Sequence, residues 1–588
     1  MSVRGVVQPP FLPMSRPEME RLGWRELDVL LVSGDAYVDH PSFAMALLGR
    51  YLVSLGYRVG LVCQPRWDTP QDLLAMGRPR LLAGVGAGAL DSMLAHYTAF
   101  RKKRHDDAYT PGGKAGARPN RAVIVYTNLV RQAFPGLPVV IGGIEASLRR
   151  YVHYDFWSDS LRRPLLLDAK AQVLVYGMGE RALGELCQLY AKNSNPSVEE
   201  LSQIPGIAFM ASSPQAAALE PAQDLPSWEE IQGAPPLVVQ AALQAERHLQ
   251  NGEAYCRQRV GERVLVVTPP PPTLESAAMD GLYRLPFKRR AHPSYGQPIP
   301  ALEMIRWSIT SHRGCGGGCS FCSLALHQGR PIASRSARSI AAELELIVSD
   351  PQFKGSISDV GGPTANMWQA KCSADPQKCK RASCMFPSVC PHFKDAQTEY
   401  VKLLDRLSAH PKVKHVRIAS GVRFDLALRN LQACQAFVGR YTGGQMKIAP
   451  EHSQPGVLRL MRKPSIQLMD RFLGYFYDYS RRVGKEQYVV PYLMSAFPGC
   501  TLEDMRSLAR WLRQRGWSPQ QVQCFIPTPG TVATAMYYAQ VDTQGKPLYV
   551  ARSDRERMEQ HYLLFPNPKQ KDSRKAKPTS SPSRRKRR

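Results

Sequence analysis

The sequence predicts an α/β protein of two large units, and three observations predict it. Strand-like apolar runs alternate with helix-period segments in two separate series, a proline-rich basic stretch parts them, and 588 residues are too many for one ordinary core. Such alternation folds as parallel sheet with helices laid over it, because each strand must cross back before the next can pair.

In the first series DVLLV (Asp28 to Val32) is a short buried-strand run. PSFAMALLGRYLVSLG has helical periodicity up to Gly56, and YRVGLVC follows as a second strand, which completes a βαβ unit. AVIVY (Ala122 to Tyr126), PVVIGG (Pro138 to Gly143) and AQVLVYG (Ala171 to Gly177) read as further strands, each followed by a helical pattern. A doubly wound, Rossmann-like parallel sheet is therefore expected over residues 1–234. Residues 235–300 read as a connector with some strand content, marked by the proline run Pro269 to Pro272 and the basic stretch LPFKRRAHPSYGQPIP.

The second series spans 301–565. It opens with IRWSIT, where Ile305, Trp307 and Ile309 would share one strand face, followed by a helix from about Ser336 with Ile340, Leu344 and Ile347 on one side. SISDVGG, KHVRIASG, QMKIAP, YVVPYLMSAFPG and VQCFIP recur as strands. Repeated strand–helix units over this length suggest a partial TIM-type barrel, in which chemistry sits where strands end and loops begin.

Composition narrows the class. No run approaches the roughly 20 apolar residues that cross a bilayer, and the N-terminal segment carries prolines and an acidic pair where an export signal needs a continuous apolar stretch. Thirteen cysteines, seven of them between Cys315 and Cys390, favour metal ligation by reduced thiolates over disulfides. A cytoplasmic protein with no membrane partner is expected. The net charge is +28, and the tail from Pro566 holds ten Lys/Arg against one Asp. That tail (566–588) reads as a basic disordered segment, with RNA or another polyanion as the alternative partner for the charge.

Directly after the first strand of the second series stands RGCGGGCSFC, in which Cys315, Cys319 and Cys322 form CxxxCxxC. Three thiolates can hold three irons of a [4Fe-4S] cube and leave the fourth open as a Lewis acid. A zinc site completed by His312 or His327 is the competing reading. The neighbouring glycines allow the chain to wrap such a group closely. Farther on, KCSADPQKCKRASCMFPSVCPHF places Cys372, Cys379, Cys384 and Cys390 in one insertion (372–390), suited to a second Fe-S cluster or a zinc ion.

The cysteine spacing, with Phe321 before the last cysteine, resembles the motif of the radical S-adenosylmethionine (radical SAM) superfamily. The resemblance implies that the open iron binds the amino and carboxylate groups of SAM. It implies too that one electron cleaves SAM to methionine and a 5'-deoxyadenosyl radical, drawn from a donor such as flavodoxin or ferredoxin. Gly361 and Gly362 in SDVGGPTANM stand where the superfamily has a GGE-like turn for the SAM amino group, with Pro363 in place of the Glu. Ser420, Arg423 and Asp425 in ASGVRFD resemble its ribose- and carboxylate-contacting residues, and Glu451 and His452 in KIAPEH its strand near adenine. SAFPGCTLEDM and FIPTPGTVATAMYY are similar to segments of the methylthiotransferase branch, with Cys500 where that branch has Glu.

PVVIGGIEAS and the GxGE segment (Gly177, Gly179, Glu180) resemble a cobalamin-binding-type domain, but no DxHxxG sequence occurs and cobalamin is not expected. The whole chain from about Asp28 to Phe565 resembles the YgiQ-type radical SAM proteins. That resemblance implies a radical SAM enzyme of unspecified substrate, with no catalytic side chain assigned. An RNA- or ribosome-modifying enzyme and a non-enzymatic zinc or Fe-S RNA-binding protein are the alternatives.

Overall fold

The computed structural model describes residues 8–375, 378–519 and 522–565; the basic tail lies outside the described residues. The first unit is a nine-stranded sheet. Its strands are β1 (Val29–Ser33), β2 (Val59–Cys63), β3 (Leu82–Gly86), β4 (Val139–Gly142), β5 (Val173–Val175), β6 (Ile207–Ser212), β7 (Ala222–Leu225), β8 (Tyr255–Val260) and β9 (Arg263–Val267). Spatial order is β7-β8-β9-β6-β5-β4-β3-β1-β2. The five strands β2-β1-β3-β4-β5 are mutually parallel, while β6 pairs antiparallel with β5 and β9 antiparallel with β6. Both faces of the parallel part are covered: Leu30 and Val32 face one apolar core and Val29 and Leu31 the other, as a two-residue period requires.

The order 2-1-3-4-5 places a topological switch point at β1/β3, outside whose carboxyl ends ligands bind in doubly wound sheets. The sheet also takes β8 and β9 from the segment expected as connector, because Cys256, Leu265 and Val267 supply a buried face that a free linker would expose. AVIVY is not a strand but the start of helix Ala122–Ala133, and the neighbouring strand is β3, whose sequence LAGVG hides its character in small residues.

The basic stretch before residue 300 clamps the two units. The Arg50 guanidinium donates to both Asp39 carboxylate oxygens at 2.7 and 2.6 Å, and the Lys288 amide adds a third bond to that carboxylate. Arg289 then ion-pairs with Glu343 of the second unit and donates to the Ser308 carbonyl at 3.0 Å.

In the second unit the strands that pair in parallel are β10 (Ser308–Thr310), β11 (Ser356–Ile357), β12 (Asp359–Gly361), β13 (His415–Val416), β14 (Gln445–Glu451), β15 (Tyr488–Ser495) and β16 (Val522–Cys524). They pair in parallel as β10-β12, β11-β13 and β14-β15-β16. Ile305 ends a short helix, Pro300–Ile305, so the strand expected from IRWSIT begins only at Ser308. Helix Ala337–Ser349 starts where its sequence places it, capped by the Ser336 hydroxyl accepting from the Ser339 amide, with Ile340, Leu344 and Ile347 buried. Among the described residues no helix is long and apolar enough to cross a membrane.

Candidate active site

The cysteine loop follows β10. His312–Arg313 pairs antiparallel with Ala333–Ser334, and the chain turns at Gly314 with φ +85°. A Cβ on Gly314 would lie 1.9 Å from the Pro331 carbonyl oxygen, so this turn is closed to every other residue. Chemistry then gathers about Gly317. A Cβ built there would stand 3.0 Å from Arg423 Nη1, 3.3 Å from Cys315 Sγ and 3.8 Å from Cys319 Sγ. Cys322 is the residue before helix Ser323–Gln328 and makes no side-chain capping bond there, although the nearby Leu324 and Ala325 amides favour its thiolate.

Burial pushes the Cys322 thiol up to about 12, and the neighbouring Cys319 and Cys315 thiols add to the rise. Cys315 is likewise raised by burial, while Arg423, the Gly317 amide and Lys463 oppose the rise. A group ligated here must displace protons, so its uptake falls with acidity. Burial works against the charge of Arg423. The Asp425 carboxylate, at 3.0 Å from Nε and 2.6 Å from Nη2, and the two thiols more than offset it, so Nη1 presents a fixed cation beside the cysteines.

Among the described residues no three His, Cys, Asp or Glu converge on a single metal ion. A cube needs no such convergence, because each thiolate meets its own iron. The two histidines weighed as zinc ligands are engaged elsewhere or set apart. His327 Nδ1 is 2.9 Å from Ser147 Oγ, and His312 Nδ1 is 2.9 Å from Ser311 Oγ with its buried Nε2 left without a partner.

At the end of β12, a Cβ on Gly361 would lie 2.1 Å from Ser420 Oγ, and one on Gly362 would lie 2.7 Å from His312 Nε2. Gly361, Gly362 and Ser420 therefore form one close-packed corner. Asp359 holds it: its Oδ1 accepts from the Ala419 amide at 2.7 Å, the Ser420 amide at 3.1 Å and the Ser420 hydroxyl at 3.2 Å. Asn366 fixes Arg423 by exchanging two 3.0 Å bonds with its backbone.

Glu451 closes β14 at φ +69°, a strained conformation for a residue with a side chain, beside a register shift in the ladder. Burial raises its carboxyl, and Lys463, 3.9 Å away, opposes the rise. His452 packs instead against Cys500, its Nε2 3.5 Å from that thiol. Asp359, Asn366 and Lys463 escape sequence reasoning. The first two lie within or beside SDVGGPTANM, where a carboxylate two residues before a glycine pair is a usable signal. Lys463 has none. The four-cysteine insertion meets this same loop at Cys384, whose amide donates to the Gly316 carbonyl at 2.9 Å.

A cavity of about 540 Å³ separates the cysteine loop from the first sheet. Its floor is the carboxyl end of that sheet, Ser33, Gly86, Gly142 and Gly177; its roof is Thr310, His312, Leu324, Gly361 and Gly362. A side chain at Gly143, φ +82°, would meet nothing within 4 Å, so the floor is open backbone that a large ligand can approach. The GxGE segment docks the cysteine loop across this cavity. Glu180 pairs with Arg313 at 2.7 Å, and Ser147 Oγ joins the Gly177 amide (3.0 Å) to His327.

The profile of the radical SAM N-terminal family matches residues 11–308. A UPF0313 protein of Geobacter sulfurreducens is 47% identical over 94% of this chain and 92% of its own length. One from Thermotoga maritima is 44% identical, covering 94% and 98%. Among solved structures, the radical SAM methyltransferase TsrM from Kitasatospora setae, with cobalamin and a [4Fe-4S] cluster bound, is 14% identical. It superposes with a TM-score of 0.51 over 92% of this chain and 91% of that one. This likeness overturns the expectation against cobalamin: the absence of DxHxxG does not separate the sheet from that of a protein solved with cobalamin in place.

Proposed function

Since the chain belongs to the UPF0313 family and carries the radical SAM N-terminal region, we propose that it is an enzyme that cleaves SAM reductively at the cysteine loop. One observation carries the reading: Cys315, Cys319 and the Arg423 cation converge about Gly317, on a loop whose first residue, Arg313, lines the cavity together with the glycine corner at the end of β12. Cys315, Cys319 and Cys322 would hold a [4Fe-4S] cluster, and the second unit reads as a partial barrel around it. Bound there, the cluster and SAM supply one-electron chemistry, with the electron drawn from a carrier such as flavodoxin or ferredoxin.

The chain's own residues do the rest. The Gly361–Gly362 backbone and Ser420 offer hydrogen bonds to the SAM amino acid and ribose. Arg423, locked by Asp425 and Asn366, sets a positive charge beside the thiolates, and Glu451 lies at the neighbouring strand end. The apolar cavity walls exclude water from reactive species. The same cavity, at the switch point of the first sheet and floored by open backbone, is where cobalamin would be held.

Anaerobic reconstitution followed by iron counting and measurement of 5'-deoxyadenosine is the test. Cys319→Ala is expected to abolish deoxyadenosine formation with the far-UV spectrum unchanged; undiminished formation in that variant refutes the assignment. Hydroxocobalamin retained through gel filtration by the native chain, and lost in Gly143→Trp, supports the cavity assignment.

A further inference from the structure

The four cysteines of the insertion are not among the residues assigned to the first site. Cys372 lies in the short strand Lys371–Cys372, paired antiparallel with Phe393–Lys394, so that it stands across from Phe393. The Phe393 amide donates to the Cys390 carbonyl at 3.0 Å, and the Cys390 amide to the Cys384 carbonyl at 2.7 Å. Cys372, Cys379 and Cys390 all lie within electrostatic reach of the Cys384 thiol, and Arg330 Nη2 stands 3.8 Å from its sulfur. All four are thiols, none of them bridged.

The insertion has little apolar support of its own, a cluster of Met367, Ala370, Met385, Cys390, Phe393 and Leu426. It also makes polar contacts with the cysteine loop. Besides the Cys384 amide, the Ser383 hydroxyl donates to the Gly317 carbonyl at 2.5 Å, and a Cβ on Gly318 would fall 2.2 Å from the Ala382 carbonyl oxygen. A segment with four thiols and so small a core gains much of its order if those thiols share a bound group.

We propose that Cys372, Cys379, Cys384 and Cys390 hold a second iron–sulfur cluster, seated on the loop of the first. Zinc suits the geometry less. Tetrahedral Zn–S bonds of about 2.3 Å bring thiolates to ~3.8 Å of one another, and among the described residues no three such side chains approach a common ion. A cube would not require that convergence, because each thiolate meets its own iron.

The site is independent of the first cluster, and the test keeps the two apart. In the full chain with Cys315, Cys319 and Cys322 all changed to Ala, anaerobic reconstitution is expected to leave ~4 iron and ~4 sulfide per chain, with charge-transfer absorbance near ~400 nm. Adding Cys372→Ser and Cys379→Ser should remove both iron and absorbance, while circular dichroism reports whether the fold persists. An iron-free triple variant, or one holding zinc, overturns the proposal. If instead the first site is the one misread, native and triple variant carry equal iron.

Discussion

Gly314 sets the residue-scale limit on the cysteine loop. Its φ of +85° disfavours a side chain, and the Pro331 carbonyl 1.9 Å from any added Cβ is backbone that no rotamer change can move. Gly314→Ala is expected to cost about 1–3 kcal/mol from the dihedral alone, and more from the clash. It should lower iron retention after desalting several-fold, whereas Gly296→Ala, exposed and with nothing within 4 Å, should change neither iron content nor melting temperature. Such residues are legible in the sequence because thiols and the turns that wrap them are neighbours along the chain. Lys463 is not legible: its amine comes near Cys315 only once the cysteine loop packs on the end of helix Pro455–Met461, where the Ser320 amide donates to the Met461 carbonyl at 3.2 Å.

At the scale of elements, the segment from Ala122 shows where local reading stops. Its β-branched opening resembles a strand, yet Ala122, Val123, Tyr126, Thr127, Leu129 and Val130 are buried with a helical period. The helix start is satisfied from a distance: the Ala122 amide donates to the Ser92 hydroxyl at 3.1 Å and the Val123 amide to the Glu145 carboxylate at 3.2 Å. No residue nearby in sequence announces that cap. The strands of the second unit were legible as apolar runs between turn residues, while the joining of β8 and β9 to the first sheet depended on a partner more than 40 residues upstream. Between elements, the Glu180–Arg313 pair ties the cysteine loop to the first sheet in a buried setting, with Arg313 also lying over Tyr283. Removing one partner strands the other charge, so Glu180→Ala should cost about 3–5 kcal/mol in urea unfolding. Glu180→Ala combined with Arg313→Met should recover most of that loss; a loss under about 0.5 kcal/mol in the single variant would mean that the pair carries no such coupling.

Across the whole molecule, the two units share buried polar chemistry that makes the fold sensitive to acid. His153 in the first unit, His248 in the helix behind its sheet and His452 in the second unit are each held near about 4, in every case chiefly by burial, with nearby arginines adding to it for His153 and His248. An unfolded histidine takes its proton near 6.5. Between those values the unfolded chain binds protons that the native chain refuses, so stability is full above pH 6.5 and falls as the pH drops toward 4. Each of these histidines removes about 1.4 kcal/mol per pH unit across that window. Denaturant midpoints measured from pH 8 to pH 4.5 should thus be flat at first and then decline steeply, below about pH 6.5. His248→Gln, which keeps a donor for the Ala254 carbonyl that the ring nitrogen meets at 3.0 Å, should flatten the decline by about one histidine's share. A midpoint that stays level down to pH 5 would show that these rings are protonated in the native state, and that the interior holding them is wetter than their burial implies.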